Sequence, residues 1–198
     1  MQLKEGIISR SADLFYAFRF LKLLTTPWDK MSAYELGVID GTGKVLKKPS
    51  ERTNEDKAAY TVFHKLVFNV KRLLGKLPFG QTKLASYAAA LFLIKEHTGM
   101  SEDRIRKTIE QIFDEPIDAT ISENTWYESD SGLSQGVYVL RSDVVSPITG
   151  DTIAKENSKV VVENTTPPVT RFLGQNIYEV LHVKTKQKIY ITNGDISR

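Results

Sequence analysis

Residues 56–76 read DKAAYTVFHKLVFNVKRLLGK. Tyr60, Phe63, Val67, Val70 and Leu74 recur at intervals of 3, 4, 3 and 4 residues, which aligns them in one stripe along a helix. The stretch predicts a helix from about Asp56 to Lys76, capped by Asn54. Lys57, Lys65, Arg72 and Lys76 fall largely away from the stripe. Gly75, Pro78 and Gly80 break the chain, and helical spacing resumes from Lys83 to His97, with Thr82 as cap and Gly99 as stop. Tyr87-Ala88-Ala89-Ala90-Leu91 is small and apolar, which suits close helix packing. A third helix runs from Ser101 to about Phe113, with an acidic first turn at Glu102 and Asp103 and Pro116 beyond its end. Upstream, Ser11 caps a helix with apolar positions Leu14, Phe15, Phe18, Leu21 and Leu24, ended by Thr25-Thr26-Pro27. Ser32 caps a short piece, Ala33 to Leu36, closed by Gly37. Val38 to Leu46 then predicts a small hairpin with Asp40-Gly41 at its turn.

From Gly136 the period changes from helical to two. Val137, Val139 and Arg141 alternate with Tyr138 and Leu140. Val160-Val161-Val162 follows, then Ile177 to His182, then Ile189-Tyr190-Ile191. Turn residues separate these runs: Ser146-Pro147, Thr149-Gly150-Asp151, Thr165 to Pro168, Lys184-Thr185-Lys186 and Asn193-Gly194. About five short strands in so short a span fit a small SH3-like barrel. The chain therefore reads as α+β. A helical bundle occupies 1–116, with the hairpin near 38–46; 117–135 is a linker packing through Trp126 and Tyr127; 136–198 is the β-barrel.

Charge is distributed unevenly along the 198 residues. Residues 1–116 carry 19 Lys+Arg and 14 Asp+Glu, net +5, and residues 117–198 carry 8 and 10, net −2. Between Asp56 and Glu96 there is no acid, whereas Lys57, Lys65, Lys71, Arg72, Lys76, Lys83 and Lys95 all fall there. A one-signed helix pair implies an acidic or polyanionic partner. The preference for lysine over arginine points to sequence-independent contact with phosphates, not base readout. Lys57, Lys65, Lys71, Arg72, Lys76 and Lys83 are the candidate contact residues; the alternative is a solvated face that aids solubility. The chain has no cysteine, which excludes disulfides, thiolate nucleophiles and Cys-based zinc sites. Its longest apolar run, Leu84 to Ile94, is eleven residues and interrupted by Ser86, too short to span a bilayer. The first residues lack the basic start and apolar core of a secretory signal, so the expectation is a soluble, intracellular protein without a membrane partner.

Catalytic patterns are sparse. Gly75 to Thr82 outlines a phosphate loop, but Gln81 stands where the lysine belongs and a helix precedes it, so a helix–helix turn is the simpler reading. His64, His97 and His182 lie in separate elements without metal-ligand spacing. No nucleophile elbow and no acidic cluster beyond a helix first turn is present. The reading is therefore no enzyme, no metal and no cofactor.

The stretches Phe20 to Trp28, Ala33 to Asp40, Ala59 to Leu74 and Lys83 to Leu91, with Ile177-Tyr178-Glu179-Val180 and Ile189-Tyr190-Ile191-Thr192, resemble uncharacterised virion- or head-associated proteins of large contractile-tailed, T-even-type bacteriophages. The resemblance covers most of the chain and carries no catalytic residues. It implies a non-enzymatic structural protein of the head or neck, present in multiple copies. Its implied partners are capsid, portal or neck proteins, with packaged double-stranded DNA contacted through phosphates. Its implied locations are the virion and, during assembly, the host cytoplasm. The alternatives are a scaffold-phase regulator, such as an inhibitor of the head-maturation protease, and a sequence-independent nucleic-acid-binding protein. In such phages head proteins are trimmed after Leu or Ile, any residue, then Glu. Leu3-Lys4-Glu5 is similar to such a site and makes Glu5 a candidate cleavage position. Ile94-Lys95-Glu96, Ile121-Ser122-Glu123 and Ile177-Tyr178-Glu179 match the same short pattern, with only the terminal match accessible.

Overall fold

A computed structural model describes residues 2–76, 84–114, 116–117 and 127–198. The chain is α+β, with helices in its N-terminal part and antiparallel sheet in its C-terminal part. The helices are α1 (Gln2–Thr25), α2 (Ser32–Glu35), α3 (Asn54–Ala59), α4 (Val62–Lys76), α5 (Ala85–Thr98) and α6 (Glu102–Phe113). The expected cap Thr82, the linker residue Trp126, Lys83 and the phosphate-loop outline beyond Lys76 lie outside the described residues.

Three helical expectations change. Helix α1 starts at Gln2, so Ser11 lies inside it and is not its cap. Its buried positions are Ala17 and Phe20, flanked by partly buried Tyr16, Leu23 and Leu24. The apolar stripe read from the sequence points the other way: Leu14, Phe15 and Phe18 are 54%, 56% and 67% exposed. The single helix over 56–76 is two helices. Tyr60 leaves the helical region at φ −134°, ψ 58°, and Thr61 begins a new helix, its carbonyl accepting from the Lys65 N–H at 3.0 Å. Burying the Tyr60 ring against Phe68, with centroids 5.8 Å apart, fixes this corner. The cap of α3 is Thr53, one residue before the expected Asn54. Thr53 Oγ1 accepts from the Asp56 N–H, and the Asp56 carboxylate accepts in turn from the Thr53 N–H, a reciprocal capping box. The expected hairpin at 38–46 reduces to one bridge, Ile39 to Val45, around a turn in which Asp40 accepts from Thr42 and Lys44. Gly43, at φ +78°, packs against the Trp28 ring, where a Cβ would come within 2.5 Å of it.

Helix α5 is apolar on every side, and Tyr87 to Ile94 are all buried. A helix with no polar face must be surrounded, and α4 and α6 pack on it from one side. The β half packs on it from the other, with the Phe92 ring 6.0 Å from Phe172 and 5.6 Å from Tyr190. One apolar cluster thus joins helical residues such as Phe20, Val67 and Leu91 to Val145, Phe172, Leu173 and Ile177 of the β half.

The strands are β1 (Glu128–Ser129), β2 (Gly132–Leu133), β3 (Gly136–Leu140), β4 (Val144–Val145), β5 (Thr152–Ala154), β6 (Lys159–Val162), β7 (Thr170–Phe172), β8 (Gln175–His182), β9 (Lys188–Ile191) and β10 (Ile196–Ser197). The main sheet runs β10-β3-β6-β8-β7, with β9 also on β8, and β1-β2 and β4-β5 form separate hairpins. Alternation buries Tyr138, Leu140, Val160, Val162, Tyr178, Val180, Ile189 and Ile191 in a second cluster, as period-two spacing requires. Within the segment read as a linker, Tyr127 and Leu133 belong to this cluster. The Tyr127 hydroxyl donates to the Ile196 carbonyl at 3.1 Å. The strand β7 was not anticipated. It returns into β8 through Leu173-Gly174, both left-handed at φ 48° and 77°, the twist a tight hairpin needs. A leucine tolerates that conformation here because its side chain is fully buried and its N–H donates to Glu102 at 2.8 Å.

Candidate interaction surface

Among the described residues, the candidate cations Lys57, Lys65, Lys71, Arg72 and Lys76 are engaged in different ways. Lys65 is 9% exposed; its Nζ lies 2.9 Å from Asp151 and donates to the Thr149 carbonyl at 3.0 Å. Lys71 Nζ donates to the Leu23 and Thr26 carbonyls, capping the negative C-terminal end of α1, and sits 4.7 Å from the Trp28 ring centroid. Burial pulls its pKa below the usual lysine value. Arg72 donates to the Gly43 carbonyl at 2.9 Å. Lys76, on the surface, pairs with Glu156 at 3.0 Å. Lys57 is exposed, and Lys83 lies outside the described residues. Three of these side chains therefore bond to backbone carbonyls of distant segments, and Lys65 also pairs with an acid there. Glu5 falls within the backbone of α1.

A different surface emerges at α1. Leu14, Phe15 and Phe18 form an exposed apolar face on a helix whose opposite face is packed. Beside it lies a groove of ≈ 520 Å³ between α1 and the segments at 30–33 and 58–68. Leu23, Met31, Ala33 and Phe68 supply apolar lining, and Arg19, Lys22 and Lys30 supply charge. Among the described residues, no acid lines it. Arg19 lies 5.5 Å from the Phe15 ring centroid and 5.3 Å from that of Phe63. His64 also lines the groove; burial, reinforced by Arg19, holds its pKa down at about 4, so it is neutral at pH 7. In the sequence Leu14, Phe15 and Phe18 read as the apolar positions of this helix, with Leu21 and Leu24. The missed signal was a second inward face made by Tyr16, Ala17, Phe20, Leu23 and Leu24.

No protein-family model, no curated protein and no solved structure matches this chain.

Two further polar clusters among the described residues hold segments together. His182 is 2% exposed, with Nε2 3.0 Å from Ser158 Oγ and Nδ1 2.7 Å from Thr185 Oγ1. The spacing resembles a nucleophile–base pair, but the proton direction is opposite. The Thr185 N–H donates to Nδ1 and Ser158 Oγ donates to the Lys155 carbonyl. The tautomer inferred from this network puts the proton on Nε2, so His182 donates to the serine and does not take its proton. The triad staples the β8–β9 turn to the strand β6. Glu128 accepts from Asn176 at 3.0 Å, Tyr178 at 2.6 Å and Asn193 at 2.5 Å, which ties β1 to β8 and to the turn before β10. Among the described residues, no group of three or more His, Cys, Asp or Glu could hold a metal ion. No helix among them is long and apolar enough to cross a membrane.

Proposed function

We propose that this chain is a non-enzymatic structural protein of a tailed-phage virion, associated with the head or neck, that works by surface contact with neighbouring virion proteins. The observation that carries this reading is the uncovered face of α1. Three large apolar side chains, each more than half exposed and set beside a cation-rimmed groove, mark an interaction surface. The polar groups that could suggest chemistry are engaged in holding segments together. The inward placement of Lys65, Lys71 and Arg72 favours protein neighbours over packaged DNA as the main partner, since these side chains are already held by Asp151 and by backbone carbonyls.

The strand order supports reading residues 136–198 as a small SH3-like barrel. β3, β6, β8 and β9 form a meander, a 3-10 turn at Asn193–Asp195 follows, and β10 returns to pair with β3. The β4–β5 hairpin sits inside the long connection from β3 to β6. This unit packs on α5 through Phe172 and Tyr190.

Mass spectrometry of purified particles from infected cells tests the role. The reading expects this polypeptide in mature virions. Its absence there would remove the virion role, and presence in immature heads alone would favour the scaffold-phase alternative.

A further inference from the structure

Helix α1 has two apolar faces, and the fold covers one. The uncovered face borders a concavity deep enough to seat side chains, so the surface is a receptor groove, not a flat patch. We propose that this groove binds an acidic amphipathic helix of a neighbouring protein, apolar anchors entering between Phe15, Phe18, Met31 and Phe68 and carboxylates meeting Arg19, Lys22 and Lys30. The proposal rests on the contact-protein reading above and names the chemistry of the partner.

Charge complementarity identifies the occupant. Among the described residues, none of these three cations forms an ion pair, whereas Lys65 and Lys76 on α4 both do. Among the described residues no acid lines the groove, and His64 beside it stays neutral, so the charged side chains of its described lining are all cations at pH 7. A second copy of this chain would bring the same apolar face with the same cations, like charge against like charge, which disfavours self-pairing. Nucleic acid would satisfy the cations and leave the aliphatic lining of Leu23, Met31 and Ala33 without apolar contact. A helix with anchors at i and i+4 and acids on its flanks satisfies both.

The full chain is titrated by fluorescence anisotropy with a labelled synthetic helix of about 18 residues, leucines on one face and glutamates on the other. A matched helix with lysines for the glutamates and an oligothymidylate serve as comparisons. The acidic helix binds, and the lysine helix and the oligothymidylate bind at least about ten-fold more weakly. Phe18→Ser and Lys22→Glu each weaken the acidic helix by about ten-fold. Both positions are exposed, and circular dichroism of the variants checks that the fold is intact. Equal or tighter binding of either comparison probe, or unchanged binding by both variants, overturns the proposal. So does a wild-type dimer in sedimentation that Phe18→Ser dissolves, because the occupant is then a second copy. A polypeptide present in virions whose groove ignores the acidic helix refutes the partner alone. One absent from virions whose groove binds it refutes the virion role alone.

Discussion

Replacing Lys65 by methionine keeps its aliphatic stem and removes its ammonium. Two contacts disappear: the bond to the Thr149 carbonyl at 3.0 Å and the pair with Asp151 at 2.9 Å. The Lys65 side chain is 11% exposed and that of Asp151 39%, so the acid can rehydrate while the carbonyl loses a charged donor. A hydrogen bond to a charged group contributes about 1.5–3 kcal/mol, and a pair with one half-exposed partner adds about 1 kcal/mol or less. The expected loss is therefore about 2–4 kcal/mol, which for a chain of this size lowers Tm by about 4–16 °C. Lys65→Glu is worse, because it brings a carboxylate beside Asp151 in a nearly buried site. The added repulsion should raise the loss above that of Lys65→Met, against a total stability of about 5–15 kcal/mol. Urea unfolding of Lys65→Met, Asp151→Asn and the double variant closes a mutant cycle with an expected coupling of about 1 kcal/mol. A Lys65→Met midpoint shifted by less than about 0.5 kcal/mol, together with a coupling near zero, refutes the assignment. The result also separates the two readings of this lysine. A phosphate-contacting Lys65 would tolerate glutamate without unfolding.

Burial pushes the Asp195 carboxyl up to about 7, against the lowering effect of the Thr192 N–H and hydroxyl. Its folded-state pKa lies above the unfolded value of 3.8, so its contribution to stability is full below about pH 4 and is lost as pH rises through about 7. Asp195→Asn should remove a loss of order 4 kcal/mol over that window, read as a flatter dependence of the urea midpoint on pH. Gly43→Ala should destabilise by about 2–4 kcal/mol, because it combines a positive φ with a Cβ 2.5 Å from the Trp28 ring; an unchanged thermal midpoint would contradict the packing there. Phe20→Ala should cost about 3–5 kcal/mol, whereas Phe18→Ser should stay within about 0.5 kcal/mol, and equal effects by thermal denaturation would place α1 the wrong way round.

The helix α6 was legible in full because its signals are local: Ser101 accepts from the Arg104 N–H, acids fill the first turn, and Asp114 ends it in the left-handed region. β3, β6, β8 and β9 were legible for a similar reason, since period-two spacing of β-branched and aromatic residues states which face is buried. The hairpin β7–β8 was not, because Leu173 is a residue that avoids positive φ and its conformation is held by Glu102, 71 residues away. The corner at Tyr60 was hidden because Tyr60 falls in register with the stripe that follows it, Phe63, Val67, Val70 and Leu74. The candidate cations were visible as a composition anomaly, but their bonds run to Gly43, Thr26 and Asp151, and no local spacing encodes such contacts.

The amino-acid order alone determined the change from helical to strand period near residue 136, most element positions, and the absence of cysteine chemistry. Those properties depend on neighbours a few residues apart, where backbone sterics and side-chain periodicity act. Only the tertiary structure decided which of the two apolar faces of α1 is covered and which lysines turn inward. Both outcomes depend on what packs opposite: Tyr16 and Phe20 meet the core shared with α4, while Lys65 and Lys71 meet carbonyls that would otherwise be buried or left at a helix end without a donor.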